Sequence, residues 1–589
     1  MLDIMAKPWL RFYPKDVAPS IKYPSTPVQS LLEGSARRFP NRHALSFQGR
    51  NITYFELNRL ADSFAVSLAS MGIAKGSRVA LILPNSPQFV ICFYGILKSG
   101  ATVVPCNPLY KARELEFQLS DSGCEAAILL NNIIPPIDFF SEFEKCRNQL
   151  PKLKHVFTTS ITDFLPPHKR MLAGPVKKIK SVARPGTSNL ERHLRDSNPN
   201  LGGSPSLIDP MEDIATLQYT GGTTGTPKAA MLTHYNLVSN AIVSSVWSGL
   251  VSENERVLAV IPFFHIYGLT NAMNSPIYAG QKIFLLPQFR VEEVLATIQK
   301  AKISIFPGVS TMYVALLNHP EISKYSLGTV RRCLSGAAPL PAEVQRQFNK
   351  ITGGNLVEGY GLTEASPVTH CNPFGDSVVT KAGSIGIPLP DTEAKIVDLE
   401  TGTRDMSTSE TGELAVRGPQ VMKGYWNKLQ ETQLVLKEGG WLLTGDIAKM
   451  DDDGYFYIVD RKKDMIDASG FKVWPREVEE VLFSHPDIKE AAVVGVKDPY
   501  RIETVKAYVV LKDGHADATD EEAIRNFCKE RIAAYKVPKI IEFRDSLPKT
   551  LVGKVLRRKL REEGEEASVE NKLAAPNKEA ATGERNLAN

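Results

Sequence analysis

Apolar and polar positions in the first part of the chain follow two alternating periods, one typical of helices and one typical of buried strands. Apolar residues recur at helical spacing over Phe55–Met71, and the short apolar run Arg78–Leu83 that follows ends at a proline. The alternation continues with helices predicted at Gln88–Lys98 and Ala112–Ser120 and strands predicted at Thr102–Pro105 and Ala126–Leu130. Strands separated by helices imply parallel sheets with crossover connections, so the pattern predicts an α/β fold.

The pattern returns further along the chain and then changes character. Strands and a helix are predicted at Arg256–Ile261, Lys282–Leu286, Val291–Lys302 and Ile303–Phe306. From Glu393 to Met450 the predicted strands are short and rich in turns. After Asp460 a separate α+β pattern begins, with the helix Pro475–Phe483 and the strands Ala491–Val496 and Lys506–Leu511. We expect an N-terminal domain over 1–460, a C-terminal domain over 461–563 and a disordered tail over 564–589, which lacks aromatic residues.

The stretch Val257–Gln281 contains no Asp, Glu, Lys or Arg. Two prolines and the polar residues His265, Asn271 and Asn274 interrupt it, whereas a membrane-spanning helix needs about 20 predominantly apolar residues. We therefore interpret the stretch as a buried strand followed by a loop that lines a pocket.

A segment at about 135–206 interrupts the α/β pattern and is rich in Pro, Ser, Lys and Arg. Between 164 and 190 it carries basic but no acidic residues, with apolar side chains among them. The basic residues are Lys169, Arg170, Lys177, Lys178, Lys180 and Arg184, and the apolar ones are Met171, Leu172, Val176 and Ile179. Two interpretations stay open: a peripheral contact with anionic lipid, or a solvated insertion loop with uneven charge.

Composition narrows the class of protein. Hydrophobic residues make up 43% and charged residues 23%, which is typical of a globular protein. A net charge of +5 over 589 residues is too weak to indicate a nucleic-acid partner. Seven scattered cysteines without a CxxC pair argue against a disulfide framework and a zinc site. The N-terminus shows no apolar run of signal-peptide length, so we expect a cytoplasmic protein, either dissolved or peripheral at the inner face of the membrane.

The most informative segment is a glycine-rich run between two apolar runs. It contains Thr220, Gly221, Gly222, Thr223, Thr224, Gly225, Thr226 and Lys228. Glycines let backbone N–H groups approach a polyphosphate, hydroxyls donate to its oxygens, and lysine offsets its charge. The run does not match the GxxxxGK[ST] pattern of P-loop proteins, so we expect another kind of phosphate-binding loop.

This run resembles the signature of the adenylate-forming superfamily, which includes acyl-CoA synthetases, aryl-CoA ligases, luciferases and peptide-synthetase adenylation domains. Six further motifs resemble those of the superfamily in the same order: Phe263–Gly268, Ser335–Pro339, Glu358–Glu364, Trp441–Asp446, Asp460–Asp464 and Pro548–Lys554. The resemblance covers roughly residues 25–563, and the basic segment and the run Gly470–Glu479 look most like bacterial or archaeal long-chain-fatty-acid–CoA ligases. It implies a large N-terminal domain of two packed α/β sheets with a small β-barrel-like subdomain, a hinge at Asp460, and a small α+β C-terminal domain.

The resemblance also implies an activity. A fatty acid, ATP and coenzyme A would give acyl-CoA, AMP and diphosphate through an acyl-adenylate, with Mg²⁺ as the metal. This reaction is that of an acid–thiol ligase. Three alternatives stay open: an aryl-CoA ligase of the coumarate type, an acyl-AMP ligase that loads a carrier protein, and a catalytically silent lipid-binding scaffold. An amino acid is a poor substrate because no Asp lies between Arg256 and Lys282 to pair with its ammonium group. The acyl chain length stays open, as does the choice between monomer and homodimer.

For the nucleotide, the resemblance assigns the loop Thr220–Lys228 to the β- and γ-phosphates and Thr363 to the α-phosphate. Glu364, together with Thr220, would hold Mg²⁺, which prefers oxygen ligands. Asp446 would accept hydrogen bonds from the ribose hydroxyls, and Arg461 would contact the nucleotide. The slot for the adenine would be formed by Gly336, Ala337, Ala338, Glu358, Gly359, Tyr360 and Gly361.

For the acyl group and coenzyme A, the resemblance assigns four further positions. His265 would lie between the carboxylate pocket and the nucleotide, and Lys554 would bridge the carboxylate and the α-phosphate during adenylation. The turn at Gly470 and Phe471 would line the pantetheine tunnel after a rotation about the hinge. The small and apolar runs Tyr267–Pro276 and Phe306–Leu317 suit an alkyl chain, with Gly308 at the floor of its pocket.

Overall fold

The computed structural model describes residues 7–197, 207–220, 227–249, 252–375, 378–468, 471–498, 502–512, 514, 519–550 and 555–564. The chain divides into two compact units. The first comprises Met1–Thr444 and Ala448–Ile458, and the second comprises Gly445–Ile447 and Val459–Asn589. The division at Ile458 lies beside the expected hinge residue Asp460. Residues 565–589 of the expected tail lie outside the described residues.

The strands of the first unit are short and most are buried. In chain order they are β1 (His43–Phe47), β2 (Arg50–Thr53), β3 (Arg78–Ile82), β4 (Thr102–Pro105), β5 (Ala126–Leu130), β6 (Asn132–Ile134), β7 (Ile137–Asp138), β8 (His155–Thr159), β9 (Lys180–Ser181), β10 (Ser188–Asn189), β11 (Ile214–Thr220), β12 (Lys228–Thr233), β13 (Arg256–Ala259), β14 (Lys282–Leu285), β15 (Ile305–Gly308), β16 (Arg332–Ser335), β17 (Asn355–Gly361), β18 (Val368–Cys371), β19 (Ile387–Pro388), β20 (Glu393–Val397), β21 (Gly412–Arg417), β22 (Gly424–Tyr425) and β23 (Leu436–Lys437). Two strands cross the points of division, β24 (Trp441–Met450) and β25 (Phe456–Arg461).

Helices connect most of these strands. The α-helices of the first unit are α1 (Gln29–Arg38), α2 (Tyr54–Ser70), α3 (Pro87–Lys98), α4 (Ala112–Ser122), α5 (Ser141–Cys146), α6 (Pro167–Lys177), α7 (Leu190–Asp196), α8 (His234–Ser248), α9 (Ser275–Ala279), α10 (Val291–Ala301), α11 (Ser310–Leu317), α12 (Ala342–Thr352) and α13 (Leu429–Val435). A π-helix spans Gly268–Asn274, and short 3-10 helices span Pro8–Phe12, Arg147–Gln149, Ile322–Lys324, Thr363–Ala365 and Glu438–Gly440.

Two large sheets form the frame of the first unit. Within the described residues, one has the order β19-β18-β17-β16-β15-β13-β14-β1-β2 and the other β10-β8-β5-β3-β4-β11-β12-β22. Their central strands are parallel, whereas antiparallel strands lie at the β2 and β19 ends of the first sheet and at the β12–β22 end of the second. The prediction of an α/β fold is therefore confirmed. A smaller sheet contains β20, β21, β23, β24 and β25.

Helix α3 shows why the two large sheets share one core. Residues Pro87–Leu97 are all buried, and a helix that is apolar on every side is stable only inside a protein. The Ser86 hydroxyl accepts a hydrogen bond from the backbone N–H of Phe89 and so caps the first turn. One apolar cluster contains α3 together with side chains of both sheets, including Leu45 and Val103.

The stretch Val257–Gln281 differs from the expectation in its second half. After β13 it forms the π-helix and α9 instead of a loop, and most of these residues are buried. Pro276 lies inside this segment, because the π-helix runs directly into α9 at Ser275, so the proline does not end the helical path. Gly268 is required by close packing, since an added Cβ would lie 2.2 Å from the carbonyl oxygen of Pro262.

The interruption predicted at about 135–206 is smaller than expected. Strand β8 lies inside the second sheet between β5 and β10, and α7 buries Leu190 and Leu194. Strand β8 is similar to the other strands in length and burial. It was not predicted because the sequence around it is rich in proline and polar residues. Helix α6 projects Met171 and Leu172, which are 75% and 49% exposed. Among the described residues, no helix combines the length and the apolar character needed to cross a membrane.

The second unit has an α+β architecture. Its strands β26 (Ile466–Ala468), β27 (Phe471–Val473), β28 (Ile488–Asp498), β29 (Ile502–Leu511) and β30 (Ile540–Phe543) form one sheet in the order β27-β26-β29-β28, with β30 beside β29. Helices α14 (Pro475–Phe483) and α15 (Glu521–Lys529) contribute Val478, Leu482 and Ile524 to its apolar core. The prediction of a smaller α+β unit at the C-terminal side is confirmed.

We expect Gly361→Ala to destabilise the first unit. An added Cβ would lie 2.2 Å from the carbonyl oxygen of Pro367, a backbone atom that cannot move away alone. Overpacking of this kind costs about 1–3 kcal/mol, which thermal unfolding would report as a lower midpoint. Gly328→Ala is the matched control, because no atom lies within 4 Å of its added Cβ. Equal midpoints for the two variants would contradict the packing described here.

Candidate active site

The glycine-rich run starts at the last residue of β11 and ends at the first residue of β12, two strands of the second sheet. Strands β11 and β12 are antiparallel, and their register places Thr220 opposite Lys228 at the base of the connecting loop. The Thr220 hydroxyl donates to the carbonyl oxygen of Lys228 at 3.5 Å. Residues Gly221–Thr226 lie outside the described residues. The structure thus fixes the two ends of the expected phosphate loop.

Lys228 is held in place by groups that come from far along the chain. Strand β22 pairs with β12, and this pairing brings Tyr425 and Glu431 beside the lysine. The Lys228 Nζ lies 2.8 Å from a carboxylate oxygen of Glu431 and 5.3 Å from the centre of the Tyr425 ring. Only 15% of the Lys228 side chain is exposed, so its charge has a defined position at the base of the loop.

Glu364 lies close to the same strands. The 3-10 helix Thr363–Ala365 packs against β11 and β12, and the Tyr425 hydroxyl donates to Glu364 Oε1 at 2.8 Å. Burial and the neighbouring Glu364 charge raise the pKa of Tyr425 far above its usual range, so the hydroxyl keeps its hydrogen and remains a donor. Tyr425 therefore connects the expected metal ligand Glu364 to the expected phosphate ligand Lys228.

These residues fit a magnesium ion. Glu364 and Thr220 offer a carboxylate and a hydroxyl, and Mg²⁺ prefers oxygen ligands, of which a protein commonly supplies only one or two carboxylates. Among the residues the structure describes, no group of three or more His, Cys, Asp or Glu side chains could enclose a metal by itself. An ion at Glu364 would therefore take further ligands from phosphate and water.

The segment after β16 is held by buried partners. Gly336 lies against the Tyr267 ring, where an added Cβ would be 3.3 Å from the ring atoms, and Ala337 has φ of +65°, a conformation uncommon outside glycine. Glu358 is buried, and its Oε2 accepts a hydrogen bond from the backbone N–H of Leu340. Glu358 thus positions the connection that contains Gly336, Ala337 and Ala338. Its contact with a nucleotide stays a prediction.

Tyr360 lies between two glycines whose role is steric. An added Cβ at Gly359 would lie 2.6 Å from Leu334, and the one at Gly361 would meet the backbone at Pro367. Both glycines are explained by the close approach of neighbouring chain segments. The half-buried Tyr360 ring lies 6.0 Å from the ring of His370, in an edge-on arrangement. Burial lowers the pKa of His370 to about 3, so this neighbour is a neutral ring.

His265 lies at the start of the helical stretch that follows β13. Its Nδ1 accepts a hydrogen bond from the backbone N–H of Tyr267, so the ring hydrogen of the neutral imidazole lies on Nε2. The preceding carbonyl, that of Phe264, accepts from the side-chain amide of Gln218 on β11. This bond ties the His265 segment to the strand that leads into the glycine-rich loop.

A narrow cavity lies against the first sheet in the same unit. The centre of a water-sized sphere can occupy about 50 Å³ of it. Its apolar wall contains Val257, Ile305, Pro307, Leu334, Val368 and Leu389, and Ser244, Asn271 and Ser275 add small polar groups. An added Cβ at Gly308 would lie 2.7 Å from the Tyr313 ring, so this glycine faces Tyr313. The preceding residue, Pro307, lies on the cavity wall, and the place of Gly308 at the floor of an acyl pocket stays a prediction.

Two further expected residues lie in the second unit. Arg461 Nε is 3.3 Å from Asp446 Oδ1, so the arginine pairs with the carboxylate assigned to the ribose. Beside them, burial raises the pKa of the Asp460 carboxyl to about 6, although Arg557 lies 3.5 Å from its Oδ1 and the N–H of Arg476 donates to its Oδ2. The expected hinge residue thus lies within a buried charge network. Gly470, Lys554 and the side chain of Phe471 lie outside the described residues.

The sequence patterns match two families of known proteins. Residues 32–426 match the AMP-binding enzymes, and residues 477–554 match the AMP-binding enzyme C-terminal domain. The chain belongs to the AMP-binding enzyme family. Among its relatives, the long-chain-fatty-acid–CoA ligase of Bacillus subtilis is 47% identical over 562 residues, which cover 95% of this chain and 98% of that protein.

Other relatives agree with this assignment. The long-chain-fatty-acid–CoA ligase of Escherichia coli is 39% identical over 580 residues, covering 96% of this chain and 100% of that protein. The crystal structure of the anthranilate CoA ligase AuaEII in complex with anthranoyl-AMP has a TM-score of 0.81 at 29% identity, covering 93% of this chain and 98% of that one. The fold is therefore that of this family.

Tyr425 and Glu431 are the members of the candidate site that the sequence did not indicate. Each lies about 200 residues from the glycine-rich loop and belongs to no motif in the sequence analysis. Only the pairing of β12 with β22 brings them to Lys228 and Glu364. A short strand such as Gly424–Tyr425 gives too few residues for its partner to be predicted.

We expect Tyr425→Phe to raise the Mg²⁺ concentration needed for half-maximal AMP formation by roughly tenfold. The variant keeps the ring but removes a hydrogen bond to a charged group, which contributes about 1.5–3 kcal/mol. Glu364→Gln should raise the Mg²⁺ concentration needed for half-maximal AMP formation further, because it removes the negative charge itself. Tyr455→Phe is the matched control, since it removes a tyrosine hydroxyl that donates to Val379 in another part of the unit. An unchanged Mg²⁺ midpoint in both test variants would exclude Glu364 as a metal ligand.

Proposed function

We propose that this protein is an ATP-dependent fatty acid–CoA ligase, which converts a fatty acid, ATP and CoA into acyl-CoA, AMP and diphosphate through an acyl-adenylate. The observation that carries the proposal is the fixed arrangement of Lys228, Tyr425 and Glu364 beside the two ends of the glycine-rich run. The names of the relatives, which are long-chain-fatty-acid–CoA ligases, support the choice of a fatty acid over an aryl acid.

In the first step, a carboxylate oxygen of the fatty acid attacks the α-phosphorus of ATP, and the bond to diphosphate breaks. Negative charge develops on the phosphoryl oxygens, and donors and cations fixed beforehand stabilise it most effectively. We assign this role to Lys228, the hydroxyls and N–H groups of the loop, Thr363 and Lys554. Mg²⁺ bound at Glu364 would neutralise part of the charge on the phosphates. His265 would separate the acyl group from the nucleotide.

In the second step, the CoA sulfur attacks the carbonyl carbon of the acyl-adenylate, and AMP leaves. Lys554 has no role in this step, so we infer that it is withdrawn once the adenylate has formed. We assign Asp446 and Arg461 to the nucleotide and Gly470 and Phe471 to the pantetheine chain, on the basis of the motifs alone. The narrow cavity beside Leu334 would hold the alkyl chain.

A substrate comparison tests the proposal. Palmitate, octanoate and coumarate are supplied separately with ATP, Mg²⁺ and CoA, and AMP and the CoA thioester are both quantified. We expect equal amounts of the two products with the fatty acids and little of either with coumarate. Preference for coumarate would establish an aryl-CoA ligase. Acyl-adenylate that hydroxylamine traps, without any thioester, would establish a ligase for a carrier protein, and no product with any acid would leave the scaffold interpretation.

We also infer that the enzyme works at the cytoplasmic face of a membrane, where helix α6 contacts anionic lipid. Support comes from Met171 and Leu172, which α6 exposes, and from the neighbouring exposed residues Lys178 and Lys180. Three other basic residues of the segment are bound within the fold, because Lys169 donates to the Gln48 carbonyl, Arg170 pairs with Asp163, and Arg184 pairs with Asp138. The contact of α6 with anionic lipid would therefore be weaker than one made by all six basic residues of the segment.

Replacing Met171 and Leu172 with Glu should remove most of the protein that sediments with phosphatidylserine vesicles. The reason is that the variant loses two exposed apolar groups and adds two repelled charges, while each basic residue at the surface contributes only about 1 kcal/mol. Activity on octanoate in solution should stay unchanged. Leu434→Glu, at a position 67% exposed elsewhere, is the control. Sedimentation equal to that of the control would leave the segment as a solvated surface.

A further inference from the structure

Arg332 lies on the wall of the narrow cavity, at the end of β16 that is farther from Gly336. Arg332 and Leu334 alternate with Cys333 along β16, so both face the cavity while Cys333 packs into the core on the other side of the sheet. Leu334 lies two residues before Gly336, where the segment expected to contact the adenine begins. Arg332 lies four residues before Gly336, about 13 Å away along the strand. The cavity thus has an end near the expected site of chemistry and an end formed by Arg332.

Two hydrogen bonds and one aromatic ring hold the Arg332 side chain at this end. Its Nε donates to the carbonyl oxygen of Ser248 at 3.2 Å, and its Nη1 donates to the side-chain oxygen of Asn355 at 2.7 Å. The guanidinium also lies 5.7 Å from the centre of the Phe374 ring. Ser248 and Phe374 belong to the cavity wall, whereas Asn355 lies outside it. The side chain therefore spans from the end of α8 to the start of β17.

This arrangement has a consequence for an alkyl chain in the cavity. Each methylene buried against the apolar wall strengthens binding about fourfold, so affinity rises with length while the wall continues. A terminal methyl group that reaches Arg332 meets hydrogen-bonded polar groups, and it can advance only if the guanidinium leaves them. Arg332 is only partly buried, so its charged end can move into water while its stem stays on apolar surface.

We propose that Arg332 sets the acyl-chain preference by gating the distal end of the cavity, a role that rests on the proposed fatty acid–CoA ligase function. Acids whose tails end before the guanidinium bind with Arg332 in place. Longer acids must displace it and lose the hydrogen bonds to Ser248 and Asn355. Arg332 is then a specificity-determining residue, and Asn355 is a positioning residue that acts through it.

The test is a chain-length profile of kcat/KM, measured by AMP formation for even-numbered saturated acids from octanoate to arachidate. We expect Arg332→Ala to raise the ratio of stearate to decanoate by about tenfold or more, since two or more further methylenes gain a place. Asn355→Ala should shift the ratio in the same direction by a smaller factor. Arg331→Ala is the matched control, because that neighbouring guanidinium binds Glu255 outside the cavity and its loss should leave the profile unchanged.

One further variant keeps the outcome decisive. Arg332→Met retains the length of the stem without the donors, and it should give the same shift if Arg332→Ala proves too unstable to purify. Profiles of Arg332→Ala or Arg332→Met and of Asn355→Ala that coincide with that of the unchanged protein would overturn the gate, provided decanoate is still activated. Failure of the unchanged protein to activate any acid would instead overturn the proposed ligase function.

Discussion

The candidate site depends on the antiparallel pairing of β12 with the two-residue strand β22. This pairing places Tyr425 beside both Lys228 and Glu364, with the Lys228 Nζ 5.3 Å from its ring centre and Glu364 accepting a hydrogen bond from its hydroxyl. The Tyr425 hydroxyl stays protonated because it is buried beside a negative charge, so it always offers Glu364 a donor. Charges that are oriented before the substrate arrives need no reorganisation during the reaction, which is how a fixed site stabilises a developing phosphoryl charge.

The rest of the first unit keeps this arrangement rigid. Gly359 and Gly361 let β17 approach its neighbours closely enough to fix the segment that carries Thr363 and Glu364. The buried Glu358 holds the connection after β16, and Gln218 ties the His265 segment to β11. The expected adenine slot, the narrow cavity and the base of the expected phosphate loop are therefore joined through hydrogen bonds and close contacts within one unit.

Much of this could be predicted from the sequence, but only where the signal is local. Helix α3 and strands β3 to β5 follow from the periods of their apolar residues. The helical form of Gly268–Ala279 was missed because a π-helix has no clear sequence pattern and because Pro276 was interpreted as a breaker. The places of Tyr425, Glu431 and Arg332 could not be predicted, since they arise from strand pairings and from a cavity assembled by segments far apart in the chain.

We propose that the fixed charges activate a carboxylate before any thiol is present. The most direct measurement is the exchange of labelled diphosphate into ATP, with palmitate and Mg²⁺ but without CoA. We expect exchange that requires palmitate. It should stop when ATP is replaced by an analogue whose link between the α- and β-phosphates cannot be cleaved. Exchange that does not require palmitate would contradict activation of the fatty acid by ATP. AMP formation that occurs only with CoA and without any exchange would contradict an acyl-adenylate that forms before the thiol binds.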